Sequence, residues 1–157
     1  MSAISDPVST VLGLPMSGLL PLMSAVAKGL PLASLDRVAR SVAPADTQFA
    51  FRIVPRATLA RRRKALATAQ GRPDGRLSAE EGTRLARLAS VWAMALDVWG
   101  DEDAARQFMF EPHPLLHGRR PIDIVLENEF GRPAVEGILG RLANGSAVRR
   151  RRFWTGA

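Results

Sequence analysis

Six side chains within a nine-residue window, Arg56, Thr58, Arg61, Arg62, Arg63 and Lys64, have the chemistry to hold a nucleic acid. A guanidinium can donate two parallel hydrogen bonds to N7 and O6 of guanine, and a threonine can meet a phosphate or a thymine methyl. Such a cluster would displace counterions from DNA, so its affinity should fall steeply with salt. A second group, Leu116, Gly118, Arg119, Arg120, Pro121 and Asp123, lies on a short proline-punctuated loop and the apolar segment that follows it. Glycine permits a backbone turn that a side chain would hinder. Arginines present planar forks that suit carboxylates. Proline drives the preceding residue to an extended conformation, so Arg119 and Arg120 are expected to project from the loop. Arg141 on the last helix, and Arg149, Arg150, Phe153 and Trp154 at the C-terminal end, extend this second set.

Other groupings lead away from catalysis. His113 and His117 are four apart with Glu111 nearby, a spacing that could ligate zinc on a helix. Pro112 and Pro114 forbid a regular helix there, and the chain has no cysteine and no third histidine. Loop capping is the expected role, and no metal or cofactor is expected. The carboxylates Asp101, Glu102 and Asp103 stand where a helix N-terminus favours negative charge, which needs no acid–base role. No glycine-rich phosphate-binding loop occurs, and no serine or histidine finds a plausible nucleophile pairing.

The elements that must position these groups read as helices throughout. Residues 1–17 look like a flexible arm. Residues 18–28 fit a short helix closed at Gly29. Pro31 suits the first turn of the next helix, which runs to about Val42 with Leu32, Leu35, Val38 and Val42 on one face. Residues 45–52 form a short apolar helix, residues 54 and 55 a turn, and Arg56 opens a helix to about residue 69. In that helix Leu59 and Leu66 are expected to face the core, and Arg56, Arg63 and Lys64 the solvent. Ser78 and Glu81 form a capping box ahead of a long stripe, Leu85, Leu88, Val91, Trp92, Ala95, Leu96 and Trp99, whose two tryptophans belong to a core or a dimer interface. Asp101 caps a further helix. The last helix, about residues 133–143, buries Val135, Ile138, Leu139 and Leu142 and stops at Asn144-Gly145. Only residues 122–126 suggest a strand. The fold class is all-α: an N-terminal helix-turn-helix unit followed by a small helical domain.

Charge divides the chain of 157 residues, whose net charge is +7. Residues 30–77 hold ten basic and three acidic side chains, residues 78–148 seven and eleven, and residues 149–152 four arginines. A basic unit, an acidic unit and a basic tail imply two surfaces, one suited to phosphates and one not. The expected divisions are an arm at 1–27, a DNA-binding unit at 28–76, a second domain at 77–148 and a tail at 149–157. No apolar run reaches the roughly 18 residues of a membrane span. The stretch at 8–30 is broken by Pro15, Gly18, Pro21 and Gly29 and does not read as a signal peptide. The basic run at 56–64 also fits a solvated helix with no nucleic acid, and Ile53 stands where a helix-turn-helix usually has glycine. A solvated tail and a tail that touches a partner or DNA both fit residues 149–154.

The order Gly100-Asp101-Glu102, His113-Pro114-Leu115-Leu116, Gly118-Arg119-Arg120-Pro121-Ile122-Asp123, Gly131 and the helix of residues 135–145 resembles the C-terminal toxin-binding domain of the Xre/MbcA/ParS antitoxins. Residues 54–62, Val-Pro-Arg-x-Thr-Leu-x-Arg-Arg, resemble the Xre-like helix-turn-helix that precedes it, and residues 29–35 look like the helix leading into it. The resemblance covers about residues 28–146. It implies a cytoplasmic antitoxin of a type II toxin–antitoxin pair, nucleoid-associated when bound to DNA, and not an enzyme. Its implied partner is a RES-domain toxin that destroys NAD, whose active-site cleft the C-terminal domain would cover. The resemblance also implies that the group from Leu116 to Asp123, with Arg141, Arg149, Arg150, Phe153 and Trp154, makes that contact. In related antitoxins the C-terminal end lies near that cleft. The N-terminal unit would bind double-stranded operator DNA as a repressor, and a homodimer is expected because operator half-sites usually take two recognition helices. Two alternatives are a free-standing helix-turn-helix transcriptional regulator, whose C-terminal domain dimerises or binds another protein, and a chromosome-partition or localisation adaptor.

Overall fold

A computed structural model describes residues 6–68 and 75–152, the last seven as backbone only. Among these residues are eight α-helices and no strand. They are α1 (Pro7–Leu12), α2 (Leu19–Lys28), α3 (Leu32–Val42), α4 (Arg56–Thr68), α5 (Ala79–Trp99), α6 (Glu102–Phe110), α7 (Pro121–Glu127) and α8 (Gly131–Arg152). Short 3-10 turns occupy Phe49–Arg52 and Pro114–Leu116. The chain forms two compact units, residues 1–90 and 91–157, which meet inside α5. The change in charge at residue 77 therefore does not coincide with the change in packing.

In the first unit α3 is central. Leu32, Leu35, Val38 and Val42 are buried along one face, the helical spacing converting a sequence stripe into a core stripe. Around them lie Leu12, Leu30, Phe49, Ile53, Val54, Leu59, Leu85 and Leu88. The region expected to be a flexible arm contains α1. Asp6 accepts a hydrogen bond from the Val8 N–H at 3.3 Å and another from the Ser9 hydroxyl at 3.1 Å, while Gly13 closes the helix at φ 69°. Leu12 is buried, and the buried Ser34 hydroxyl donates to its carbonyl at 2.7 Å. Six residues make a poor helix alone; packing on α3 decides the matter. Leu77 N–H donates to the Leu30 carbonyl at 2.8 Å, and a side chain at Gly29 (φ 101°) would meet the Leu77 carbonyl oxygen at 2.9 Å.

The second unit packs α6 on α7 and α7 on α8. Its core holds Val91, Trp92, Ala95, Ala105, Phe108, Met109, Ile122, Val125, Val135, Ile138 and Leu139. The stretch read as a possible strand is α7. Its β-branched content favours a strand, but Pro121 starts the helix, Asp123 sits in its first turn, and Ile122 and Val125 are both buried, three residues apart. Tertiary packing overrides propensity here. The last helix also begins earlier and ends later than its sequence signals. It passes through Asn144 and Gly145 without a left-handed residue, and Leu142 is 36% exposed. Residues 146–152 contain no proline, and four arginines suit a helix C-terminus.

Candidate nucleic-acid interface and partner-binding unit

The short helix expected at residues 45–52 is reduced to a 3-10 turn at Phe49–Arg52, which the bend at residues 53–55 and then α4 follow. Ile53, at the turn, needs no left-handed conformation (φ −98°) and is buried, which accounts for the missing glycine. Leu59 anchors α4 at 1% exposure, whereas Leu66 is 50% exposed and is not a core residue. At about 100° per residue, Ala57, Arg61, Lys64 and Thr68 fall opposite Leu59, on the face directed to solvent.

The six residues singled out on this helix divide accordingly. Arg61 and Lys64 are exposed and have no carboxylate partner among the described residues. Arg63 is exposed but pairs with Asp36 at 2.7 Å. Arg56 lies with its guanidinium carbon 4.6 Å from the centre of the Phe51 ring, a cation–π distance. Thr58 is half-buried. Arg62 turns inward to Glu81, both side chains largely covered.

Glu81 has two duties. It accepts from the Ser78 N–H at 2.7 Å, while the Ser78 hydroxyl accepts from the Glu81 N–H at 3.1 Å, closing the capping box. Burial acts to raise its pKa, but the bonds from the Ser78 N–H and from Arg62 outweigh it and hold the carboxyl below the ordinary value of 4.5. Arg84 adds a further tie within this unit, donating to the Ile53 carbonyl at 3.0 Å.

In the second unit the loop at residues 113–119 is closed on itself. His113 N–H donates to the Arg119 carbonyl at 3.0 Å, and the Leu116 and Gly118 N–H groups both donate to the His113 carbonyl at 3.0 Å. The ring Nδ1 of His113 accepts from the Leu115 N–H at 3.2 Å. His117 and Gly118 follow one another in the left-handed region, at φ 55° and 78°. A side chain at Gly118 would meet nothing within 4 Å, so its backbone angle, and not space, asks for glycine.

Arg119 and Arg120 do not project freely. Arg119 is half-exposed and pairs with Glu127 at 2.7 Å. Arg120 folds back onto Asp123 with two bonds, at 2.8 and 3.0 Å, and lies 5.9 Å from the Phe110 ring centre. The Asp123 hydrogen bond raises the Arg120 pKa. The extended residue before Pro121 places Arg120 at the N-terminus of α7, three residues from an acid on the same turn, so an intramolecular pair forms. Pro121 and Leu116 are buried, and Arg141 is exposed on α8. Arg149 and Arg150 lie on the α8 backbone with side chains outside the described set, and Phe153 and Trp154 lie outside the described residues altogether.

Sequence reasoning did not find the edge made by Trp99, Phe108, His113 and Leu115. The rings of Trp99 and Phe108 are 6.1 Å apart, and those of Phe108 and His113 6.0 Å. Trp99 is 42% and Leu115 59% exposed. The two tryptophans of one stripe thus differ: Trp92 is core and Trp99 is rim.

Two domain families match the chain in succession. The antitoxin Xre-like helix-turn-helix domain matches residues 21–90, and the antitoxin Xre/MbcA/ParS C-terminal toxin-binding domain matches residues 94–145. The fold and these matches define an all-α protein that carries in succession an Xre-like helix-turn-helix domain and a C-terminal toxin-binding domain of the Xre/MbcA/ParS antitoxin type. A curated protein named Antitoxin Xre, from Yersinia enterocolitica, is 40% identical over 73 residues, which are 46% of this chain and 49% of that one. The match therefore spans about half the length of that relative.

Proposed function

We propose that the chain is the antitoxin of a type II pair, that it neutralises a RES-domain toxin that degrades NAD, and that it represses its own operon. The supporting observation is the succession, on one chain, of two domains. The first presents Arg61 and Lys64 outward from α4, and the second matches a toxin-binding domain. DNA binding is assigned to residues 28–76, with Arg61 and Lys64 foremost and Arg56, Thr58 and Arg63 on the flanks. Toxin binding is assigned to residues 77–148, through the loop from Leu116 to Asp123 and the exposed face of α8 with Arg141, with the basic end at 149–157 as the competing contact. The chain acts by occupying surfaces and not by catalysis. A homodimer would present two copies of α4 to two operator half-sites, in the cytoplasm and on the nucleoid when bound.

Co-expression with a RES-domain toxin, if one is encoded by the neighbouring gene, tests the reading, and the absence of such a gene counts against it. The two should co-purify, and growth and NAD levels should recover. A toxin that stays free and active in the presence of this chain would sink the proposal and favour a free-standing regulator.

A further inference from the structure

Beside α4 the first unit contains a cleft of about 600 Å³. Its polar lining comes from three places in the chain: Lys28 at the end of α2, Arg61 and Arg62 on α4, and Arg76 with Ser78 before α5. No carboxylate lines it among the described residues. The charge of Arg62 is offset by Glu81, but Lys28, Arg61 and Arg76 have no acidic partner among the described residues. Lys28 stands in the last turn of α2, where the helix dipole favours a cation. Arg76 is fixed at the rim by one nitrogen, which donates to the Gly29 carbonyl at 3.0 Å; its other N–H groups have no partner among the described residues. Three cations without an acidic partner among the described residues, around one concavity, raise the local concentration of anions, and several donors from different parts of the chain suit an anion with several acceptor oxygens.

We infer that this cleft is a phosphate-binding site, and that its ligand is a backbone phosphate of the duplex held by α4. The inference rests on the DNA-binding reading above. Arg61 belongs both to the outward face of α4 and to the cleft, so the two surfaces are continuous. Lys28 and Arg76 carry the footprint beyond the recognition helix to a contact that positions the duplex without reading a base.

The test uses the full chain with Lys28→Glu and, separately, Arg76→Gln. Binding to a duplex from upstream of its own gene and to a random duplex is measured by anisotropy across salt concentrations. Inorganic pyrophosphate is titrated alongside by NMR. Each substitution should weaken both duplexes by the same factor and lower the slope of log affinity against log salt by about one unit. Lys28 is exposed at a helix end, so Lys28→Glu remains a fair test if Arg76→Gln disturbs the Gly29 contact. If the wild-type chain binds no duplex but pyrophosphate shifts resonances around Lys28 and Arg76, the DNA reading fails and the cleft stands as a site for a free phosphate ester. If Lys28→Glu leaves duplex affinity and slope unchanged and pyrophosphate shifts nothing, the cleft is not a phosphate site.

Discussion

Arg62 of α4 and Glu81 of α5 form an ion pair in which the side chains are only 16% and 12% exposed, and the same Glu81 oxygen accepts from the Ser78 N–H at 2.7 Å. One carboxylate thus caps α5 and fastens α4 to it. An arginine in the middle of a basic run, which sequence alone assigns to DNA, is consumed by the fold.

Arg62→Ala should therefore act on stability. An exposed pair is worth about 0–1 kcal/mol and loss of a buried partner about 3–5 kcal/mol; this largely covered but not fully buried pair should cost about 1–3 kcal/mol, read by chemical denaturation. Glu81→Gln should cost a similar amount at neutral pH. Its carboxyl is held below 4.5 in the fold, so the folded chain binds fewer protons than the unfolded one between the two values. The stabilisation is complete above the ordinary value and lost as pH falls through the lowered one. The gap between wild type and Glu81→Gln should narrow on acidification below about pH 4.5. A gap that stays constant from pH 7 to pH 3 would place the origin elsewhere.

On α4, Arg61→Ala and Lys64→Ala should weaken operator binding while leaving the melting temperature in place. A base contact would cost about 1–3 kcal/mol and relax specificity at one position, whereas a phosphate contact would lower affinity evenly and flatten the salt slope by about one unit. Arg56→Ala and Arg63→Ala should have smaller effects, since each arginine already has an intramolecular partner. Wild-type mobility shifts from an Arg61/Lys64 double alanine variant would remove this face from consideration.

Much of this was legible in the sequence because local rules and packing agree. The stripe on α3, the capping box at Ser78 and the Asp101 cap of α6, which accepts from the Ala104 N–H at 3.1 Å, all follow from spacing. Where they disagree, packing decides. α1 is too short to announce itself and depends on Ser34 and α3. α7 has strand-like residues in a helical setting. The partners of Arg62, Arg63 and Arg119 lie 19, 27 and 8 residues away, and no periodicity reveals which cations a fold will neutralise. The cleft of Lys28 and Arg76 has the same cause, since its residues meet only when α2 and the segment before α5 pair through Leu30 and Leu77.

Gly131 should be the least replaceable glycine in the second unit. A Cβ there would lie 1.8 Å from the Ile124 carbonyl oxygen and 2.6 Å from its carbon. Both are backbone atoms of α7, so no rotamer change relieves the clash. Gly131→Ala should separate α7 from α8 and cost about 1–3 kcal/mol or more, as overpacking does. Gly137, on the same helix with nothing within 4 Å, supplies the control: Gly137→Ala should be neutral or stabilise by up to about 1 kcal/mol. Equal melting temperatures for both variants would show that the approach of α7 to α8 is not as close as described.

Two surfaces compete for the proposed contact with the toxin, the loop and the C-terminal end. The intramolecular pairs change how it must be tested. Arg120→Glu would set two acids against each other at the start of α7 and loosen the loop by itself, so the informative change is Arg119→Ala, which leaves Glu127 solvated at half exposure. If Arg119 exchanges Glu127 for a toxin carboxylate in a dry interface, its loss should cost several kcal/mol of affinity; if it stays solvated, about 0–1 kcal/mol. Truncation after Ala147 leaves the buried residues Val135, Ile138 and Leu139 in place and removes Arg149, Arg150, Phe153 and Trp154. Binding by calorimetry should then show a large loss for Arg119→Ala and a smaller one for the truncation, with both variants melting near the wild-type temperature. A silent Arg119→Ala with a truncated chain that no longer binds would move the contact from the loop to the end of α8.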